Sequence, residues 1–350
     1  MIIIYLIPYI LLFVMGMIID QKRSIRLYWL FIIVLALFSG LRYDVGYDYQ
    51  SYVGKIDKDT VFSLEPINVW ILSLCNTLNS IQLFFMIHSF VTLFTMGVAI
   101  KKISIRPSLS IILFIGFPLL FLSSMSVVRF WTALSLVFLA SIYLFKGSII
   151  KYLLFMIIAV GFHTSAISGL LFLLIKYINI SYYLNWIMIV ASYAIGFVSK
   201  EILSGMEYGS NIFMQRFFGY VNREEMAGGF TIIPYIFLGI DILFLLYYKR
   251  ISRVFGNAGV YISIFNIGCC IMFIMSFNTT LSMRLSRYFT LYLLVIIPYI
   301  VAALGKKSLF GNKEIWIIMT LFFYIYQLCI FNESLMKYEF LPYNLCINVF

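Results

Sequence analysis

Apolar runs such as SIILFIGFPLLFL (110–122) and YFTLYLLVIIPYIVAAL (288–304) recur along the whole chain, parted only by short polar pieces. Lipid offers no partner to a backbone N–H or C=O, so a chain made of such runs is driven to helices, which satisfy their own backbone groups. Charged residues are 11% of the chain, against about 25% in soluble domains, too few to cover these runs with a polar surface. The chain therefore reads as an all-α polytopic membrane protein, a single integral domain over residues 1–350. Spans are expected near 2–19, 27–41, 81–100, 109–123, 127–145, 149–162, 163–178, 183–199, 232–248, 259–277, 288–304 and 315–332, about twelve in all. The segment EPINVWILSLCNTL (65–78) is too short and too amphipathic for a span and reads as a helix lying on the membrane surface.

The net charge of +11 does not indicate nucleic acid in such a chain; what matters is which loops hold the Lys and Arg. Fifteen of them fall in loops around 22–26, 101–106, 146–151, 176, 249–253 and 306–313, with only Asp20 and Glu314 as acids. All share one side if 65–78 does not cross and 149–178 crosses twice, and the positive-inside rule makes that side the cytoplasm. Both termini then face the periplasm, as do the two longest polar stretches, 42–66 and 200–231. Residues 42–80 form a periplasmic loop and surface helix. There is no Walker A motif, no GxGxxG and no soluble nucleotide domain. The five cysteines show no metal-ligand spacing and sit mostly in apolar runs, as small buried hydrophobes do. No cofactor and no metal is expected.

Costly arginines gather toward the outer side. Arg42 ends the second span, Arg129 lies in SSMSVVRFWTALSL, and Arg284 and Arg287 lie in LSMRLSRYF, spaced i, i+3 on one helix face. His163, in VGFHTSAISG, stands at the hinge between two short spans. Guanidinium forks suit phosphate oxygens, and several around one pocket suit a diphosphate; a neutral His can take a proton from an attacking hydroxyl. The plainer reading of each Arg is a side chain snorkelling to headgroups. In LRYDVGYDYQSY (41–52), Asp44 and Asp48 suit sugar hydroxyls or a base role, and share a face if the segment is helical after Gly46. Tyr43, Tyr47, Tyr49 and Tyr52 suit sugar stacking or an interfacial belt equally. His88 reads as structural, and Asp241, mid-span, needs a polar partner the sequence does not name.

RYDVGYDYQSY, VVRFWTALSLVFLA, FHTSAI, RLSRYF and the closing YEFLPYN resemble, in that order and over nearly the whole chain, the EpsG-like group of Wzy-type bacterial polysaccharide polymerases. The chain departs from that group's frequent VGTDY by carrying Tyr47, and has RFW where Arg is usually followed by Gln; both bear on fine specificity. The resemblance implies a glycosyltransferase of the GT-C type in the bacterial inner membrane, its site toward the periplasm. It would join repeat units carried on undecaprenyl diphosphate, for O-antigen lipopolysaccharide, capsule or exopolysaccharide, with a chain-length regulator as a further partner. Arg42, Arg129, Arg284 and Arg287 would then hold the diphosphate without a metal, with His163 as base, or Asp44 or Asp48 in its place. The rivals are a lipid-linked oligosaccharide flippase, which calls for polar groups on both sides, and an O-antigen ligase, which calls for one dominant periplasmic loop.

Overall fold

The computed structural model describes residues 2–56, 64–178, 180–204, 232–256, 258–330, 340 and 343–346. The loop expected over 200–231 therefore lies, from residue 205 on, outside the described residues. The helices in chain order are α1 (Ile2–Lys22), α2 (Ile25–Gly40), α3 (Tyr49–Ile56), α4 (Pro66–Thr77), α5 (Ile81–Ile103), α6 (Pro107–Gly116), α7 (Phe121–Ser126), α8 (Val128–Phe145) and α9 (Ile149–Phe162). A 3₁₀ turn, Thr164–Leu170, leads to α10 (Leu171–Tyr177), α11 (Tyr182–Ser204), α12 (Ile232–Phe255), α13 (Ala258–Ile274), α14 (Thr279–Thr290), α15 (Leu293–Leu304) and α16 (Lys313–Ile330). Among the described residues four helices, α5, α8, α11 and α12, are long and apolar enough to cross a bilayer alone; α14 and α15, bent by 44°, make a fifth if they count as one span. The described residues thus make an all-helical membrane fold. Each expected span overlaps helical residues, but 109–123 is broken into α6 and α7, 163–178 into a 3₁₀ turn and α10, 288–304 falls across α14 and α15, and most of the rest are shorter than a full crossing. The chain divides into two compact units, residues 1–169 with 304–350, and residues 170–303.

In the first unit α8 is buried along nearly its whole length, packed against α5 and α9, while α5 also packs on α2. Apolar faces gain little from meeting in lipid, so side-chain hydrogen bonds between helices matter there. Between α5 and α8 these are His88 Nδ1 to Thr132 Oγ1 at 2.8 Å, Thr92 to Thr132 at 3.0 Å and Thr95 to Ser135 at 3.0 Å. Thr132 Oγ1 also donates to the Val128 carbonyl at 3.0 Å, so it accepts from His88 and fixes that ring as an interhelical tie. The α6–α7 break follows from FPLLF: Pro118 cannot continue the α6 ladder, Leu119 turns left-handed at φ 59°, and its N–H donates to Gln327 Oε1 of α16 at 2.8 Å.

Two ends of this unit are set apart by the length of α5, 23 residues or ~34 Å. At one end Asp20, Arg106 and Lys313 form a cluster and Lys146 Nζ reaches the Lys102 carbonyl at 3.5 Å. At the other, Gln82 of α5 donates to the carbonyls of Gly40 and, at 3.0 Å, Arg42. Residues 43–80 therefore leave from and return to the same end. Pro66 at the first turn of α4 has no N–H to orphan, and the helix buries Asn68, Ile71, Leu72 and Cys75 while leaving Trp70 exposed.

The second unit packs α11, α12 and α13 together, with α14 against α13. Asn185 Nδ2 of α11 donates to Ser263 Oγ at 3.0 Å. Asp241 of α12, fully buried, accepts from Asn266 Nδ2 of α13 at 2.7 Å, which supplies the partner its mid-span position demands. Asn278 caps α14, accepting from the Leu281 N–H at 3.0 Å.

Candidate functional site

The stretch 41–52 folds by dividing its residues between two environments. Arg42 is fully buried and lies over the Phe85 ring at 4.7 Å. Its guanidinium donates to the carbonyls of Val45 at 3.0 Å, Met125 at 2.5 Å and Ser39. Burial pulls its pKa down to about 10, which leaves it cationic at neutral pH. These bonds fasten the loop to the α7–α8 break, and they engage the donors that a diphosphate would need. Gly46 makes the fit possible: its φ is +103°, and a Cβ there would lie 2.8 Å from the Met125 carbonyl oxygen. Tyr49 and Tyr52 turn inward as successive ridges of α3. Tyr49 stacks on Phe85 at 4.4 Å and is 2% exposed, so its ring is closed to sugar. Tyr43 and Tyr47 stay outside, 54% and 66% exposed. Asp44 is exposed, left-handed at φ 52°, and accepts from Gln50 Nε2. Asp48 precedes α3, so the two aspartates do not share a helical face; the helix starts later than their spacing requires.

The far end of the chain meets this loop. Tyr43 N–H donates to the Asn344 carbonyl at 2.8 Å and Cys346 N–H to the Leu41 carbonyl at 2.7 Å, pairing Arg42 antiparallel with Leu345. Tyr343 stacks on Phe38 at 4.0 Å. The closing motif is a tie across the opening one.

Beside the loop a charged cluster joins three segments. Arg129, in the first turn of α8, donates from Nη1 to Glu65 Oε2 at 2.6 Å and from Nε to Tyr52 Oη at 3.2 Å. Glu65, ahead of α4, also accepts from Asn68 Nδ2 at 3.2 Å and, on Oε1, from the Thr164 N–H at 3.3 Å. Burial pushes the Glu65 carboxyl up, but the nearby Arg129 and His163 outweigh it and hold the group below the usual carboxylate range. His163 ends α9. Its Nδ1 receives the Ser165 N–H at 3.2 Å and lies 2.8 Å from Ser165 Oγ. A backbone N–H can only donate, so neutral His163 carries its proton on Nε2. Phe130 meets its ring edge-on at 5.7 Å.

Arg129 and His163 are thus brought together, and Arg42 lies nearby in a tethering role. Arg284 and Arg287 belong to the second unit, on α14 ahead of the 44° bend; Arg287 is buried and Arg284 half-buried. The residue that sequence reasoning misses is Glu65. Its signal is an acid directly before Pro66 at the head of an amphipathic helix, which spacing alone cannot connect to residues 129 and 163.

Chemically, Arg129 offers a cation whose Nη2 makes no hydrogen bond among the described residues and whose side chain is 18% exposed. A family model described as the EpsG family matches residues 25–345. Comparison with curated proteins found no match, and comparison with solved structures found none.

Proposed function

The chain belongs to the EpsG family of Wzy-type polysaccharide polymerases, and from that membership we propose that it joins oligosaccharide repeat units carried on undecaprenyl diphosphate at the periplasmic face of the bacterial inner membrane. In this reading the bilayer is crossed about twelve times in a GT-C-like arrangement, and the product is O-antigen, capsule or exopolysaccharide. A hydroxyl of the incoming unit attacks the anomeric carbon of the growing chain; the new C–O bond forms as the bond to the diphosphate breaks, and the electron pair leaves on a phosphate oxygen. A single in-line displacement inverts that carbon. Arg129 stabilises the developing phosphate charge. The attacking hydroxyl hands its proton to His163 at Nδ1, displacing both the Ser165 hydroxyl and the Ser165 N–H that now lie there at 2.8 and 3.2 Å. Asp44, exposed, and Asp48, half-buried, face sugar hydroxyls, and Tyr43 and Tyr47, each more than half exposed, offer rings for stacking.

The observation that supports this reading is the meeting of Arg129 and His163, an anion binder and a proton acceptor, on one carboxylate in the family's own membrane scaffold. Deleting the gene and running surface polysaccharide on a gel tests it. A polymerase loss leaves a single-unit cap and restores long chains on complementation. No cap at all points to a ligase, and unaltered chains would falsify the proposal. Complementing with Asp44→Asn and Asp48→Asn separately, at verified membrane levels, reads the loop's share: full polymer from both returns it to a polar turn.

A further inference from the structure

Glu65 is, among the described residues, the carboxylate that touches both halves of the proposed chemistry. One oxygen takes the Arg129 Nη1 hydrogen bond at 2.6 Å, and the other takes the Thr164 N–H at 3.3 Å, next to His163. Asn68 braces it at 3.2 Å and ties α4 to the Phe162 carbonyl at 2.7 Å. The Arg129 contact uses one guanidinium nitrogen rather than a fork, which aims the side chain while leaving Nη2 for an incoming anion. We infer that Glu65 is a positioning residue of the polymerase: it orients Arg129 toward the lipid diphosphate and offsets the positive charge that His163 acquires on taking the acceptor proton. The inference rests on the polymerase reading above.

The groups around the imidazole bear on its charge. Arg129 on α8 disfavours a second positive charge there, and Glu65 ahead of α4 favours it. Tyr52 on α3 hydrogen-bonds Arg129. His88 on α5 meets Phe162, the neighbour of His163, ring to ring at 5.5 Å. Glu65 is an anion that interacts with His163, so removing it takes away a charge that favours the imidazolium beside Arg129. The proton taken from the sugar hydroxyl passes from the imidazolium to water after the lipid diphosphate has left.

The test uses the full-length protein in liposomes, with the lipid-linked repeat unit extracted from the deletion strain as substrate, and follows polymer formation against pH. Glu65→Gln should lower kcat by about tenfold or more and move the acid limb of the rate profile down by about one pH unit, because losing the anion favours neutral His163. Glu65→Asp keeps the charge and should hold the limb in place while raising KM, since Arg129 loses its aim. Wild-type kinetics in Glu65→Gln, or a slower rate with an unmoved limb, overturns the inference. If Glu65→Gln fails to accumulate, Glu65→Asp decides it by a raised KM against wild-type kinetics. A wild-type protein that makes no polymer from this substrate sinks the polymerase reading, and this inference with it.

Discussion

The two ends of the first unit each bury a carboxylate among cations, and they do it differently. Asp20 is 1% exposed and accepts from Arg106 Nε and Nη2 at 2.7 Å each, from Ser108 Oγ at 2.9 Å and from Lys313 Nζ at 3.1 Å. Four donors close that carboxylate, and the Arg106 fork is fully used. Glu65 is nearly as buried, yet its Arg129 contact is single-pointed and its second oxygen receives one long backbone bond. The Asp20 cluster is built as a lock between α1, α6 and α16. The Glu65 cluster holds its cation through Nη1, with Tyr52 on Nε, and leaves Nη2 without a hydrogen bond among the described residues. A site that must receive a diphosphate needs the second kind of arrangement.

Breaking the lock should have the largest effect, on stability. Asp20→Ala leaves Arg106 and Lys313 facing each other without a counter-charge, a loss of up to about 3–5 kcal/mol. The expected outcome is a lower unfolding temperature in detergent and less protein in the membrane, with an unchanged rate per folded molecule. A normal unfolding temperature with a slowed reaction would reverse the roles assigned to the two ends.

Arg129→Lys should do the opposite. The ammonium can still pair with Glu65, so folding is little disturbed, but the planar fork toward phosphate is gone. Polymer formation should drop on the order of 100-fold at near-normal abundance. Lys variants of Arg284 and Arg287 belong in the same series. Normal chain length from all three would reduce these arginines to anchors in the headgroup layer.

Gly46→Ala sharpens the comparison at smaller amplitude. A left-handed φ at a non-glycine residue costs about 1–3 kcal/mol, and the added Cβ would press on the Met125 carbonyl that also receives Arg42. The loop should lift from the α7–α8 break, so the rate is expected to fall severalfold while the Asp20 end keeps its thermal stability. Proteolysis of the loop, faster than in the wild type, would report the same displacement.

How much of this was legible follows the range over which each signal acts. The helices were readable because apolar periodicity is local. Shorter breaks were not: FPLLF hides the α6–α7 split inside a run that hydropathy reads as continuous. Arg129 and His163 could be picked out as costly polar residues in apolar surroundings. Arg42 had the same signature, but its guanidinium turns to backbone carbonyls, a choice settled by where α7 ends rather than by residue type. Spacing puts Asp44 and Asp48 on one face only if a helix begins after Gly46, whereas the left-handed Asp44 and the late start of α3 separate them. The tie between residues 41–43 and 344–346 and the pairing of Glu65 with Arg129 are long-range contacts, invisible to any window of sequence.

The smallest effect concerns the same Glu65 carboxylate and its dependence on pH. Its folded-state pKa lies below the ordinary value of 4.5, since Arg129 and His163 favour the charged form more than burial disfavours it. A depressed carboxylate adds stability that is fully present above the unfolded value and is lost as pH falls through the folded one. The wild type should therefore lose thermal stability on acidification below about 4.5, in part through this group. Glu65→Gln cannot take up that proton, so its unfolding temperature should start lower at neutral pH and decline less steeply in the acid range. Both proteins would be followed by tryptophan fluorescence in the same detergent from pH 7 downward. Parallel curves for the two would mean that Glu65 is no better paired in the folded state than in the unfolded chain, and the contrast with Asp20 would lose its basis.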